Sequence, residues 1–215
     1  MITIATVFRT GGVYDHKYVN NLVNGVRDNI TVPYKVVCLT DAPNGIENVD
    51  DIIPFRHNWP KWWGKLELFR PDLLQGRILY IDLDTFIVDN IDDVAGYDGR
   101  FCGLRDFYNE DEFASGIMAW ESSPDVYKLY NEFAKNPEHH MKVHDVGGDQ
   151  AFMRRFIRIS DYFQDLYPKQ VVSYKVNCVN GNSVKVPNNA RIICFHGNPK
   201  PHNLNNDLRY YWKQT

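Results

Sequence analysis

Residues 77–84 read Arg77-Ile78-Leu79-Tyr80-Ile81-Asp82-Leu83-Asp84, an apolar run that ends in two carboxylates. A short continuous apolar run is the signature of a strand buried on both faces. Two aspartates at i and i+2 on an extended chain point the same way, and side by side they repel and raise each other's pKa. A hard divalent cation such as Mg2+ or Mn2+ between them would relieve that repulsion. The other reading is a turn in which the aspartates cap backbone groups. The buried strand just before the pair, and Thr85-Phe86-Ile87-Val88 just after it, favour the cation.

The flanking chain alternates strands with helices. Residues 2–8, rich in β-branched side chains, form a first buried strand, and Thr10-Gly11-Gly12 then breaks the chain. Tyr18, Leu22, Val23 and Val26 recur at helical spacing over residues 15–28. Strands are expected at residues 34–39, 51–55, 101–104, 116–120 and 192–195, and a short helix within residues 59–69, ended by Pro71. Ser123 and Pro124 mark a helix start whose buried face carries Val126, Leu129, Tyr130 and Phe133. Residues 146–159 read as another helix, and a polar tail ends in Tyr210-Tyr211-Trp212. This alternation predicts an α/β fold with a central, mostly parallel sheet. In such folds ligands bind beyond the carboxyl ends of the strands, so the turn after the first strand and the end of the 77–81 strand should face one crevice. Neither the dinucleotide fingerprint nor the P-loop pattern is present.

The chain has 215 residues, expected to form a single domain over 1–215. A hydrophobic content of 44%, with 14% aromatics, excludes disorder as the main state. A net charge of −3 gives no global field toward nucleic acid or anionic membrane, and there is no apolar run long enough for a transmembrane segment. The start Met-Ile-Thr-Ile lacks the features of a signal peptide. Cys38, Cys102, Cys178 and Cys194 make neither a CxxC pair nor a zinc spacing and read as reduced, buried thiols. A soluble, cytoplasmic protein of bacterial or viral origin is the expectation.

A second chemical motif lies near the C-terminus: Cys194-Phe195-His196-Gly197-Asn198-Pro199-Lys200-Pro201-His202. A histidine at a strand end can ligate a metal, Gly197 allows close backbone approach, and Lys200 supplies a point charge suited to phosphate. The other reading is a proline-rich surface loop. Together with Asp82 and Asp84, this motif resembles the GT-A glycosyltransferases, and most closely glycosyltransferase family eight, the glycogenin and galactosyltransferase group. That family has a strand followed by Asp-x-Asp and, much later, a His, Gly and Lys-Pro pattern. Gly64-Lys65-Leu66, Arg105-Asp106, Ala114-Ser115-Gly116-Ile117-Met118 and Gly148-Asp149-Gln150 resemble its intervening motifs in the same order, so the resemblance spans residues 1–205. Ala114, where the family has asparagine, and His202, where it has tryptophan, are departures.

The resemblance implies a metal-dependent transferase that moves a sugar from a nucleotide-sugar, with a UDP-sugar as the expected donor, to a glycan or glycoconjugate acceptor with retention. It implies that Asp82, Asp84 and His196 hold Mn2+ (or Mg2+) against the donor diphosphate. Leu83, Gly197 and Lys200 would also meet the donor there, and Lys65 would reach it from the other side. Ala5, Thr6, Val7 and Tyr14 would hold base and ribose, and Asp106, Asp149 and Gln150 the donor sugar, with Gln150 nearest the anomeric carbon and Asp149 as the alternative. Trp59, Trp62 and Trp63 offer either an acceptor platform or core packing. His139, His140, His144 and Asp145 read as a solvated loop after Pro137 rather than as a second metal site. Two other functions fit the fold class: a sugar-phosphate nucleotidyltransferase, at which Arg9-Thr10-Gly11-Gly12 hints, and a non-catalytic nucleotide-sugar-binding module.

Overall fold

A computed structural model describes residues 1–212. Strand β1 (Ile2–Phe8) leads into helix α1 (His16–Asn29), which is capped by the Asp15 carboxylate accepting from the Lys17 amide at 3.0 Å. Strands β2 (Tyr34–Thr40) and β3 (Asp51–Pro54), a 3-10 helix (Lys61–Phe69), β4 (Arg77–Ile81) and β5 (Thr85–Ile87) follow. Next come α2 (Asp92–Ala95), β6 (Phe101–Arg105), β7 (Phe113–Glu121), α3 (Pro124–Lys135), α4 (Pro137–Val143) and α5 (Gly148–Phe156). The chain continues through β8 (Asp161–Tyr162), α6 (Phe163–Leu166), β9 (Val171–Ser173) and a π-helical turn (Tyr174–Cys178). A hairpin of β10 (Val179–Asn180) and β11 (Ser183–Val184), then β12 (Ile192–Cys194), complete the strands.

The main sheet has the order β3-β2-β1-β4-β7-β6-β8. β1 lies parallel to both β2 and β4, and β2 parallel to β3, while β7 runs antiparallel to its neighbours β4 and β6. Side chains alternate across the sheet with period two. Ile4, Cys38, Leu79 and Ile81 pack with α1 on one face; Ala5, Val37, Leu39, Ile78 and Tyr80 pack with the 3-10 helix, α3 and α5 on the other. This explains the unbroken apolar runs of β1 and β4, whose carboxyl ends open on the same side.

A second sheet, β5-β12-β9, has only three-residue strands; β12 is the strand expected at residues 192–195, whereas the pairing of the three was not evident from the sequence. β4 leaves the main sheet at Ile81, and β5 enters the small one at Thr85. Asp82-Leu83-Asp84 is the step between the two sheets and is pinned at both ends. The Asp82 amide donates to the Gly116 carbonyl at 2.8 Å, and the Asp84 carbonyl accepts from the Phe195 amide at 3.0 Å. β12 pairs antiparallel with β5, Cys194 opposite Thr85, and so delivers residues 195–200 beside the aspartates.

Several expectations change. The chain bends at Leu83 and Asp84, so the two aspartates are not successive positions of an extended strand. Residues 137–143 are helical, because Pro137 stands at the first helical position, where its missing amide costs nothing, and the Asn136 side chain caps the His139 amide. Ser123 precedes α3 in extended conformation, but its hydroxyl makes no capping bond. α5 is shorter than read, beginning after Gly147 (φ 91°) and ending at Phe156. The C-terminal segment is a 3-10 turn (Asp207–Tyr211) whose neighbour Trp212 packs edge-on against Tyr18 at 4.6 Å. All four cysteines are buried and free. Among the described residues no helix is long and apolar enough to cross a membrane.

Glu67, fully buried in the 3-10 helix, accepts from the Arg56 amide (2.7 Å), the His57 amide (2.8 Å) and the Arg70 guanidinium (2.8 Å). Glu67→Ala would leave the buried Arg70 guanidinium with only the exposed Asp72 carboxylate at 3.5 Å and two backbone donors without their acceptor, and is expected to lower the unfolding free energy by about 3 kcal/mol. Equilibrium urea unfolding measures that loss.

Candidate functional site

A cavity of about 760 Å³ opens beyond the carboxyl ends of β1 and β4. Its walls come from the loop after β1, the 3-10 helix, the Asp82–Asp84 step, the turn after β6, the β7 segment 114–116, the 145–150 segment and the end of β12. Its polar floor is a chain of bonded charges.

At one end stands Lys65, its ammonium buried 3.2 Å from Asp82 Oδ1 and 3.1 Å from Asp149 Oδ2. The Ser115 carbonyl and hydroxyl accept from it at 3.3 and 3.2 Å, and the Ser115 hydroxyl donates to Asp149 at 2.7 Å. Burial alone would depress the Lys65 pKa, but the Asp149 and Asp82 carboxylates outweigh it and hold the ammonium above its ordinary value. Asp82 Oδ1 also accepts from the Tyr80 hydroxyl. Burial first, then the nearby Asp84 charge, push the Asp82 carboxyl above the usual carboxylate range despite Lys65.

At the other end Asp84 Oδ2 accepts from the Tyr14 hydroxyl at 2.9 Å and pairs with the Lys200 ammonium, which also donates to Tyr14 at 2.7 Å. Burial and the Asp84 charge raise the Tyr14 pKa, so its phenol stays protonated and serves as a donor. Each aspartate of the pair thus has its own lysine and its own tyrosine.

His196 lines the same cavity, stacked on Phe107 at 5.5 Å with Tyr108 edge-on at 5.2 Å. Its Nε2 lies 2.6 Å from the Ser173 hydroxyl. Burial, with the charge of Lys175, lowers its pKa, so the imidazole is neutral at pH 7.

Whether these residues suit a divalent cation can be judged from the donor set. Asp82 Oδ2 and Asp84 Oδ1 carry no hydrogen bond among the described residues, which leaves one oxygen on each aspartate open. The aspartates therefore fit a hard cation. His196 shares their cavity, but among the described residues no three His, Cys, Asp or Glu side chains are gathered in one metal-binding group.

Of the other expected residues, Val7, Leu83, Asp106 and Gln150 line the cavity. Asp106 also holds its own turn, accepting from the Tyr108 and Asn109 amides at 2.8 and 3.1 Å. Ala5 and Thr6 do not line it; both are buried in β1, and the Thr6 hydroxyl donates to the Ile81 carbonyl at 2.9 Å. Gly197 (φ 67°) sits beside Lys175, whose Nζ would be 3.3 Å from a Cβ added there. The sequence reading missed Tyr80, Ser115 and Ser173 as site residues. For Tyr80 a signal existed, since it stands two residues before Asp82 on a strand and so shares its face. His140 on α4 and His144, just after it, lie against Phe152, at 4.9 and 5.7 Å between ring centroids.

No protein-family model matches the sequence, and no curated protein matches it. Solved structures do resemble it. The glycosyltransferase GlyE of Streptococcus pneumoniae TIGR4 superposes with a TM-score of 0.69 at 14% identity, over 98% of this chain and 59% of GlyE. The galactosyltransferase LgtC, solved with donor and acceptor sugar analogues, superposes with a TM-score of 0.62 at 12% identity, over 97% of this chain and 93% of LgtC. The bifunctional glycosyltransferase WbbM gives 0.59 at 15% identity, over 93% of this chain and 46% of WbbM. This chain thus spans less than two thirds of GlyE and nearly all of LgtC. It shares with them the GT-A fold that its motifs resemble.

Proposed function

We propose that the chain is a metal-dependent glycosyltransferase that moves a sugar from a UDP-sugar to a hydroxyl of a glycan acceptor with retention, in the manner of family eight. The observation that carries this reading is the β5–β12 pairing, which brings Asp82-Leu83-Asp84 and the His196–Lys200 segment to one cavity although more than a hundred residues separate them. The shared fold supports the reaction class. A diphosphate is held by a cation and by ammonium groups, and the open oxygens of Asp82 and Asp84, with Lys200 beside Asp84, support that reading.

Asp82 and Asp84, with His196 in the same cavity, would hold Mn2+ or Mg2+, which when bound supplies Lewis-acid stabilisation of the departing diphosphate. Lys200 would exchange Asp84 for a donor phosphate and neutralise charge as it develops. Val7 and Tyr14 would flank the nucleoside. Asp149, its carboxylate locked by Lys65 and Ser115, would accept hydrogen bonds from donor-sugar hydroxyls, with Gln150 beside the anomeric carbon. In the transfer, the bond from the anomeric carbon to the diphosphate oxygen breaks and the bond to the acceptor oxygen forms on the same face. The acceptor proton passes to the departing diphosphate.

The nucleotidyltransferase reading is weakened at the Arg9–Gly12 loop. The Thr10 amide and hydroxyl are taken by the Asp41 carboxylate at 2.9 and 2.7 Å, so they are not free to cradle a triphosphate. Pyrophosphate release from UTP and a sugar phosphate would favour that reading instead.

Calorimetry of UDP with and without Mn2+ tests the proposal. UDP is expected to bind at least about tenfold more tightly with the metal, and Asp84→Ala to remove the difference. Equal affinity with and without Mn2+ in the parent protein, or an undiminished metal effect in Asp84→Ala, refutes the assignment. In sugar transfer assays, Asp149→Asn and Gln150→Ala are each expected to lower kcat about a hundredfold. Near-normal turnover in both would remove these residues from the donor-sugar site.

A further inference from the structure

Four of the five tryptophans are at most 8% exposed, whereas Trp62 is 43% exposed on the cavity wall. An indole left in water at a cavity mouth forgoes a large burial gain, and such a surface suits a ligand with an apolar face. The ring is also held in place. Lys61 adopts a left-handed backbone (φ 55°) that turns Trp62 out while Trp63 turns into the core, and its ammonium lies 5.3 Å from the Trp62 ring centroid. At Nε1 the indole abuts Gly148 (φ 58°), where an added Cβ would stand 2.3 Å from Nε1 and 2.8 Å from Cδ1 and Cε2.

The bonded floor of the cavity gives Trp62 its place in the reaction. It runs from Tyr14 and Lys200 to Asp84, then from Asp82 through Lys65 to Asp149. Gly148, under the indole, immediately precedes Asp149. With the nucleoside at Tyr14, the diphosphate at Asp84 and Lys200 and the donor sugar at Asp149, the space at Trp62 is the next along. Asp145 and Gln150 also line this cavity and can bond hydroxyls.

We infer that Trp62 is the stacking platform of the acceptor subsite, and that the acceptor is a pyranoside, one ring face on the indole and its hydroxyls toward Asp145 and Gln150. The inference rests on the glycosyltransferase reading, and its test separates the two. Intrinsic fluorescence is followed, in the presence of UDP and Mn2+, during titration with the methyl glycosides of glucose, galactose, mannose and N-acetylglucosamine. At least one is expected to give a saturable change that Trp62→Ala abolishes and Trp62→Phe, which keeps a flat ring, retains in binding by calorimetry. Transfer to that glycoside should show a KM raised about tenfold in Trp62→Ala and largely restored in Trp62→Phe. UDP affinity of the variants reports that the cavity is still formed. If the parent protein binds UDP but none of the glycosides, or if Trp62→Ala binds and uses the glycoside as well as the parent does, the platform is overturned while the glycosyltransferase reading stands. Transfer to a peptide or lipid hydroxyl with no response to Trp62→Ala overturns it equally. Failure of the parent protein to bind UDP overturns both.

Discussion

The Lys65 ammonium, sunk between Asp82 and Asp149, is the interaction on which the site depends. Taking three charges out of full contact with water costs several kcal/mol per ion before any is recovered. The arrangement holds because every partner is satisfied again: Ser115 bonds both the ammonium and Asp149, and Tyr80 bonds Asp82. The network joins the 3-10 helix, the end of β4, β7 and the first turn of α5. No two of these elements can shift without breaking a buried charged contact. Such an assembly is costly as a source of stability and well suited to holding a carboxylate in one position for a substrate.

The other half of the site is built differently. Asp84 is paired to Lys200, and Lys200 comes from a loop beyond β12, not from a packed helix. Its ammonium is held by one carboxylate and one phenol rather than by a four-membered network. The two lysines therefore divide two tasks. Lys65 is locked into structure, whereas Lys200, under the proposed function, would trade one anion for another of higher charge. The division follows from position: one is buried in the core under α3 and α5, and the other is tethered by a short strand at the cavity edge.

How far the sequence disclosed this follows the physics of each element. β1 and β4 were legible because strands flanked by parallel neighbours are buried on both faces and read as apolar runs. The aspartates at the end of β4 were legible for the same reason, since a polar pair closing such a run stands out. The small sheet was not. Its strands have three residues each, and their pairing links Thr85 to Cys194 and Cys194 to Ser173 across long loops, where no local periodicity exists. The partners of the site residues were hidden in the same way. Ser115 looks like part of a strand and Ser173 like part of a short apolar run, and only the tertiary register turns their hydroxyls toward Asp149 and His196. Pro137 was misread because a proline stops a helix from within but starts one at its first position, and only the Asn136 cap distinguishes the cases.

The segment Trp59-Pro60-Lys61-Trp62-Trp63 shows why composition alone leaves function open at this site. The three indoles have the same chemistry and nearly the same neighbours in sequence, yet Trp59 stacks on His57 and Trp63 on Phe133 inside the core, while Trp62 faces the cavity. The 3-10 helix turns about 120° per residue, so adjacent positions cannot share a face. Once Trp63 and Leu66 fill the core side, Trp62 is left on the cavity wall. Burying it would require Lys61 to leave its left-handed conformation and the helix to rotate, which would carry Lys65 away from Asp82 and Asp149. The charged network around Lys65 is thus also what keeps an indole exposed on the adjoining cavity wall.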